Sequence, residues 1–183
     1  MEKAPTSRTK KVIGARGRTA LGFVTVQQVL IRHATPSDAE AIRAIYNYEV
    51  EHETATFDLV PRTLEDQLAW QEAREGAFCV YVAELAGEVV GFGALSPYKE
   101  RAAYRTSVED SIYIRRDHGR KGIGRILLSH LLKTAADGGF HVVMARITTL
   151  SEGSIALHAD LGFQLVGIER QSAENSINGS MLP

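Results

Sequence analysis

Apolar residues recur along this chain at two spacings, and the switches between them outline a mixed α/β protein. "VLIRHA" (29–34) reads as a short strand. In "TPSDAEAIRAIYNYEVEH", Ile42, Ile45, Tyr46 and Val50 recur at helical spacing. Pro36 suits a first helical turn there, and Asp38 and Glu40 favour its positive end. "ETATFDLVP" breaks the pattern. A second helix is predicted to start with Thr63 as N-cap and Asp66 three residues on, and to stop at Gly76. "FCVYVAEL" and "VVGFGALSP" read as strands joined by a tight turn at "AGE", and "KERAAYRT" as a polar loop. "SVEDSIYIRR" is a further strand, with Glu109 and Asp110 set between Val108, Ile112 and Ile114. A strong helix follows, with Ile123, Leu127 and Leu131 in one row and Leu128, Leu132 and Ala136 in another, ended by Gly138-Gly139. "FHVVMARIT" is a β-rich buried strand, "SEGSIALHADLG" a short helix, and "FQLVGIER" a last strand.

The predicted order is β-α-α-β-β-β-α-β-α-β. Helices and strands do not alternate strictly, which excludes a doubly wound dinucleotide fold and points to a partly antiparallel sheet flanked by helices. A length of 183 residues suits one domain. The formal net charge of −1 excludes a nucleic-acid binder driven by its overall field. The charge is unevenly spread, however. Residues 1–27 carry six basic residues against Glu2, leaving 15 basic and 21 acidic residues downstream. This sets 1–27 apart as a basic, flexible extension, 28–171 as the folded domain and 172–183 as a polar tail. No apolar stretch approaches the roughly 18–20 residues of a membrane span, and the N-terminus lacks a secretory apolar core. The single cysteine, Cys79, allows no internal disulfide and fits a reducing, cytoplasmic setting. Its apolar neighbours make it a buried hydrophobe rather than a nucleophile.

"RRDHGRKGIGR" (115–125) holds five basic residues and three glycines and runs straight into "ILLSHLL". A strand entering a Gly-rich loop and then a helix exposes unpaired backbone N–H groups that attract phosphate. The loop lacks the Lys-Ser/Thr pair of a nucleoside-triphosphate loop, and its single G-x-G does not extend to G-x-G-x-x-G. On these residues alone, an anion loop and a solvated basic turn capping a core helix both stand.

The wider context resembles the GNAT superfamily of N-acetyltransferases. "SVEDSIYIRRDHGRKGIGRILLSHLL" is similar to its acyl-CoA motif, and "SEGSIALHADLGFQLVG" to its second signature. "IRHATPSDAEAIRAIYNYEVEHETATFD" and "SPYKERAAYRTSVEDSIYI" resemble the phosphinothricin / methionine sulfone (sulfoximine) acetyltransferase group. The likeness runs from about Val29 to Arg170. It implies the GNAT acyltransferase fold and direct transfer of acetyl from acetyl-CoA to the primary amine of a small amino-acid-like acceptor, with no metal. The protein would supply position, proton transfer and electrostatics.

By the same resemblance, Glu109 stands at the general-base position and His158 near the thioester sulfur, as a proton donor or a member of the proton relay. The backbone around Tyr113 and Ile114 would form an oxyanion hole, and Ile112 to Ile114 would pair with the pantetheine arm. Gly119, Arg120, Lys121, Gly122, Ile123, Gly124 and Arg125 would wrap the pyrophosphate, with Ser151 and Ser154 along the arm. An acceptor carrying a carboxylate needs cationic clamps. Arg101, Tyr104 and Arg105 are the candidates, ahead of Lys99, and Tyr46 and Phe57 would form an apolar wall. Homodimers are frequent in the group.

Three departures stand out. The family's H-R-G-K-G-I-G order is here H-G-R-K-G-I-G, so Gly119 and Arg120 are exchanged. Ser151 replaces the Asn of the second signature, which implies a weaker or water-mediated contact with the CoA arm. After "GIERQ" the chain continues as "SAENSINGSMLP", which lacks the aromatic residues and β-propensity of the group's final strand. A missing strand would expose a sheet edge and lower stability, or require a partner chain. It also opens the alternative of a catalytically weak acyl-CoA-binding module. Acetylation of a peptide amine is the other alternative.

Overall fold

A computed structural model describes residues 29–169 apart from 54, 75 and 77, together with the backbone of 174–175 and 180–181. The expectation for residues 1–27 lies outside the described residues. The strands are β1 (Leu30–His33), β2 (Val80–Leu85), β3 (Glu88–Pro97), β4 (Ser107–Ile114) and β5 (Val142–Met144). They form one sheet in the order β1-β2-β3-β4-β5, antiparallel except for the parallel pair β4·β5. Helices α1 (Ala39–His52) and α2 (Leu64–Glu72) follow β1, α3 (Ile123–Asp137) links β4 to β5, and α4 (Glu152–Asp160) follows β5.

Local chemistry sets these boundaries. Thr35 donates from its N–H and its hydroxyl to Asp38 Oδ2 at 2.7 and 2.8 Å, fixing the entry to α1. Arg32 of β1 grips the same carboxylate at 2.7 and 2.8 Å, which holds Asp38 down at about 2. Thr63 and Asp66 form the predicted capping box of α2. That helix ends at Glu72, earlier than Gly76 implied. Ala86 and Gly87, both at positive φ, make the two-residue turn between β2 and β3.

The sheet is covered on both faces. Ile42, Ile45, Tyr46 and Val50 of α1 pack on Val80, Val82, Phe92 and Ala94. Leu127, Leu131 and Ala135 of α3 pack on Cys79, Tyr81, Leu95 and Val108. Each large side chain fully buried here contributes about 1.5–3 kcal/mol. Cys79 is buried and burial pushes its thiol up, in keeping with a structural role.

One predicted strand is not formed. Residues 163–169 adopt no regular structure, and Leu165 is 82% exposed. A strand needs a ladder to join, and β5 pairs with β4 over only three residues, Ser107–Glu109 with Val142–Met144. Beyond Met144 the chain has left the sheet. Glu174–Asn175 (β6) and Ser180–Met181 (β7) pair antiparallel in a separate two-stranded sheet.

Candidate active site

The parting of β4 and β5 opens a cleft of about 470 Å³. Its walls are the C-terminal half of β4 and the segment 145–148. Residues 55–58 close one side, and Ser151, Ser154 and His158 the other. The hydrogen-bond pattern of β4 decides which backbone groups face it. Arg115 N–H donates to the Val90 carbonyl at 2.9 Å and Tyr98 N–H to the Ser107 carbonyl at 3.5 Å. In an antiparallel ladder the bonding side alternates along the strand, so the odd-numbered residues of β4, Tyr113 included, bond to β3. The amides of Ile112 and Ile114 point the other way, into the cleft, where no strand meets them. Of the two amides expected to form an oxyanion hole, only that of Ile114 points into the cleft. The Tyr113 N–H is committed to the sheet.

Side chains alternate in the opposite sense. Glu109 and Tyr113 lie on the α1 face. Tyr113 stacks on Phe92 at 5.2 Å and meets the edge of Tyr46 at 5.2 Å. Burial pushes both phenols up, Tyr46 to about 12. The Tyr46 hydroxyl donates to Asp58 Oδ2 at 2.5 Å. Glu109 is gripped bidentately by Arg146, with Nε to Oε1 at 2.8 Å and Nη2 to Oε2 at 2.9 Å. The two partners differ in exposure: the side chain of Glu109 is 15% exposed, that of Arg146 63%. Glu49, buried on α1, is held in the same fashion by Arg116 at 3.0 and 2.6 Å. Burial nevertheless raises its carboxyl above the usual range.

On the α3/α4 face Asp110 meets His158, both buried. His158 Nε2 lies 3.1 Å from Asp110 Oδ2, and Nδ1 lies 2.7 Å from the Ser154 carbonyl oxygen. Both ring nitrogens thus face acceptors, an arrangement that suits a doubly protonated imidazole. Burial works against the proton, but the Asp110 hydrogen bond, the Ser154 carbonyl and the Asp110 charge outweigh it and raise His158 above its ordinary value. Asp110 Oδ1 is buried without a partner among the described residues.

The basic loop runs from the end of β4 to the start of α3. Gly122, at φ +80°, precedes the helix without a side-chain cap, so the first amides of α3 are free to meet an anion. A Cβ on Gly124 would stand 3.1 Å from Leu157 and 3.9 Å from Ile114, so the helix start lies against the end of β4 and against α4. Arg115 pairs with Glu88 and Asp117, Arg116 with Glu49 and Glu53, and Arg125 with Asp160. Lys121 donates to the Asp117 carbonyl. Arg120 is exposed and at φ +56°. The exchange of Gly119 and Arg120 thus sets a side chain where the backbone is left-handed, while Gly119, at φ −61°, needs no glycine.

The cleft gathers Glu109, His158, Ile112, Tyr113, Ile114, Ser151, Ser154, Tyr46 and Phe57 from the residues singled out in the sequence. Gly119, Arg120, Lys121, Gly122, Ile123, Gly124 and Arg125 lie beyond its lining, in the loop and first turn of α3. Arg101, Tyr104 and Arg105 are not in its lining. Their loop closes on itself through a short turn at Ala102–Tyr104 at the other end of β4, with Lys99 lying over Tyr98 and Tyr104. Asp110, Arg146, Glu49 and Asp58 also line the cleft and were not among the residues expected there. Two signals were available: an acid at a core-facing position of β4, and a lone cation in the apolar run "VVMARIT".

Residues 42–163 match the family model described as the acetyltransferase (GNAT) family. The chain is 37% identical over 139 residues to an L-methionine sulfoximine/L-methionine sulfone acetyltransferase of Pseudomonas paraeruginosa, covering 75% of this chain and 81% of the relative. It superposes on a phosphinothricin acetyltransferase of Sinorhizobium meliloti solved in complex with acetyl-CoA, with TM-score 0.79, 33% identity and coverage of 84% and 83%. It also superposes on a ribosomal-protein-alanine N-acetyltransferase of Brucella melitensis, with TM-score 0.80, 37% identity and coverage of 83% and 93%.

Proposed function

The chain belongs to the acetyltransferase (GNAT) family, and from that premise we propose that its acceptor is the primary amine of a small amino acid of the methionine sulfone, methionine sulfoximine or phosphinothricin type. It is an acetyl-CoA-dependent N-acetyltransferase. The observation that carries the fuller reading is that Glu109 and His158 line one cleft from opposite faces of β4, across an unpaired strand edge. Acetyl-CoA supplies the acetyl group as a thioester. The free helix start at Gly122, the open edge at Ile112 and Ile114 and the cleft between them suit its phosphates, its arm and its acyl end in turn.

In this reading the acceptor nitrogen attacks the acetyl carbonyl carbon, so that a C–N bond forms as the C–S bond breaks. Glu109, oriented by its two hydrogen bonds from Arg146, receives the proton that the amine loses. The Ile114 amide donates to the carbonyl oxygen as it gains charge. His158, held protonated between Asp110 and Ser154, is the proton source for the departing sulfur. The domain that does this spans residues 28–171. The same reading carries a cytoplasmic enzyme and a homodimer.

A second reading, acetylation of a peptide N-terminus, is favoured by the likeness to the Brucella protein. Thiol release from acetyl-CoA with methionine sulfone, methionine sulfoximine, phosphinothricin and an alanine-initiated peptide separates the two. Release with the amino acids, lowered about 10²- to 10⁴-fold in Glu109→Gln with acetyl-CoA affinity unchanged, is the expected result. Release with the peptide alone supports the second reading, and full activity of Glu109→Gln removes Glu109 as the base.

A further inference from the structure

We infer that Arg146 is a specificity-determining residue that engages the acceptor's free carboxylate, so that the site selects α-amino acids over peptide N-termini. The inference rests on the amine acceptor proposed above and adds how the enzyme tells one amine from another.

The cleft lining is acid-rich. It carries Glu49, Asp58, Glu109 and Asp110 against Arg116, Arg146 and His158, and His158 is held by Asp110. Such a lining draws in a protonated amine and repels a carboxylate unless a cation is free to meet it. Arg116 is not free, being held by both Glu49 and Glu53. Arg146 has one acidic partner, Glu109, and spends on it only Nε and one hydrogen of Nη2. A guanidinium has five N–H donors, so both hydrogens of Nη1 and one of Nη2 remain. No other partner of Arg146 is found among the described residues, and Glu169 adds to its field without reaching ion-pair distance. With Glu109 largely buried and Arg146 mostly exposed, the unused edge of the guanidinium belongs to the open side of the pair.

The geometry then matches an α-amino acid. Its ammonium and carboxylate are attached to one carbon, and Glu109 and Arg146 present the opposite charges side by side at 2.8 Å. A carboxylate on the free edge of Arg146 brings the amine beside Glu109. Arg146 can do this without releasing Glu109, because the two anions use different edges of the planar group. An α-carboxamide or a peptide bond at the same place leaves the cation without an anion.

Three acceptors test this with the full-length protein: methionine sulfone, its α-carboxamide and a dipeptide that begins with the same residue. Each is measured for kcat and KM by thiol release, and for binding to the CoA-loaded protein by calorimetry. The parent should favour the free acid mainly through KM. In Arg146→Gln the acid should lose roughly 10- to 100-fold in kcat/KM. The carboxamide and dipeptide, which lose only the Arg146 support of Glu109, should fall clearly less than the acid, so that the preference narrows or collapses. Arg146→Lys should keep part of it. Comparing parent with variant cancels the different basicities of the three amines. Equal losses for acid and amide in Arg146→Gln would show that Arg146 acts only through Glu109 and would overturn the inference. So would a parent that does not prefer the acid. If no acetyl transfer to an amino acid is seen, the acceptor reading fails. The calorimetric preference for the acid, and its loss in Arg146→Gln, still decides the role of Arg146.

Discussion

Asp110 shows how one side chain can set the chemistry of another. His158 is buried, and burial alone would drive its proton off. The carboxylate at 3.1 Å reverses that balance. The folded-state value lies above the unfolded one, so the stabilisation from this pair is complete below the unfolded value, ordinarily near about 6.5. It is lost as pH rises through the folded value. Asp110→Asn removes the charge and leaves the burial. By proton NMR, His158 should titrate above its ordinary value in the parent and lower in Asp110→Asn than in the parent. The high-pH limb of the rate profile should shift downward with it. A midpoint that does not move on substitution would assign the proton to some other partner.

At the level of elements, the loop into α3 carries a local conflict. Arg120 stands at φ +56° and Gly119 at φ −61°. A non-glycine residue in the left-handed region costs about 1 kcal/mol. Arg120→Gly should therefore raise stability by about that amount, or about 2–4 °C in melting temperature for a chain of this size. Acetyl-CoA affinity provides a second measurement. If the free amides after Gly122 hold the pyrophosphate, affinity changes little. If the Arg120 side chain reaches it, affinity falls while the melt still rises. A melt that does not rise would mean that the strain is relieved in solution.

The whole molecule is a sheet held open on one side. Only three residue pairs join β5 to β4, and beyond them the walls of the cleft stand apart. A ligand that spans β4, the segment 145–148 and the start of α3 ties these elements together. Acetyl-CoA at about 100 times its dissociation constant should stabilise the fold by about 2.7 kcal/mol, raising the melting temperature by about 5–10 °C. Scanning calorimetry with and without acetyl-CoA measures this, and an unchanged midpoint would mean that the cleft does not hold it. Among the described residues no helix is long and apolar enough to cross a membrane.

The sequence by itself determined what depends on neighbours along the chain. Helical spacing of Ile42, Ile45 and Tyr46, the Thr63–Asp66 cap, the Ala86-Gly87 turn and the glycines before α3 are local signals, and each produced the element expected of it. The motifs around Glu109 and His158 likewise pointed to acyl transfer. Other features required contacts between distant segments. "FQLVGIER" has strand propensity, yet residues 163–169 remain irregular because β5 leaves the ladder at Met144. Arg101, Tyr104 and Arg105 have the right chemistry for a clamp, but their loop lies outside the cleft lining. Arg146 reaches Glu109 from 37 residues away, and His158 reaches Asp110 from 48. Pairings of that kind depend on the sheet bringing strands together, so only the tertiary structure could decide which acid works beside which cation.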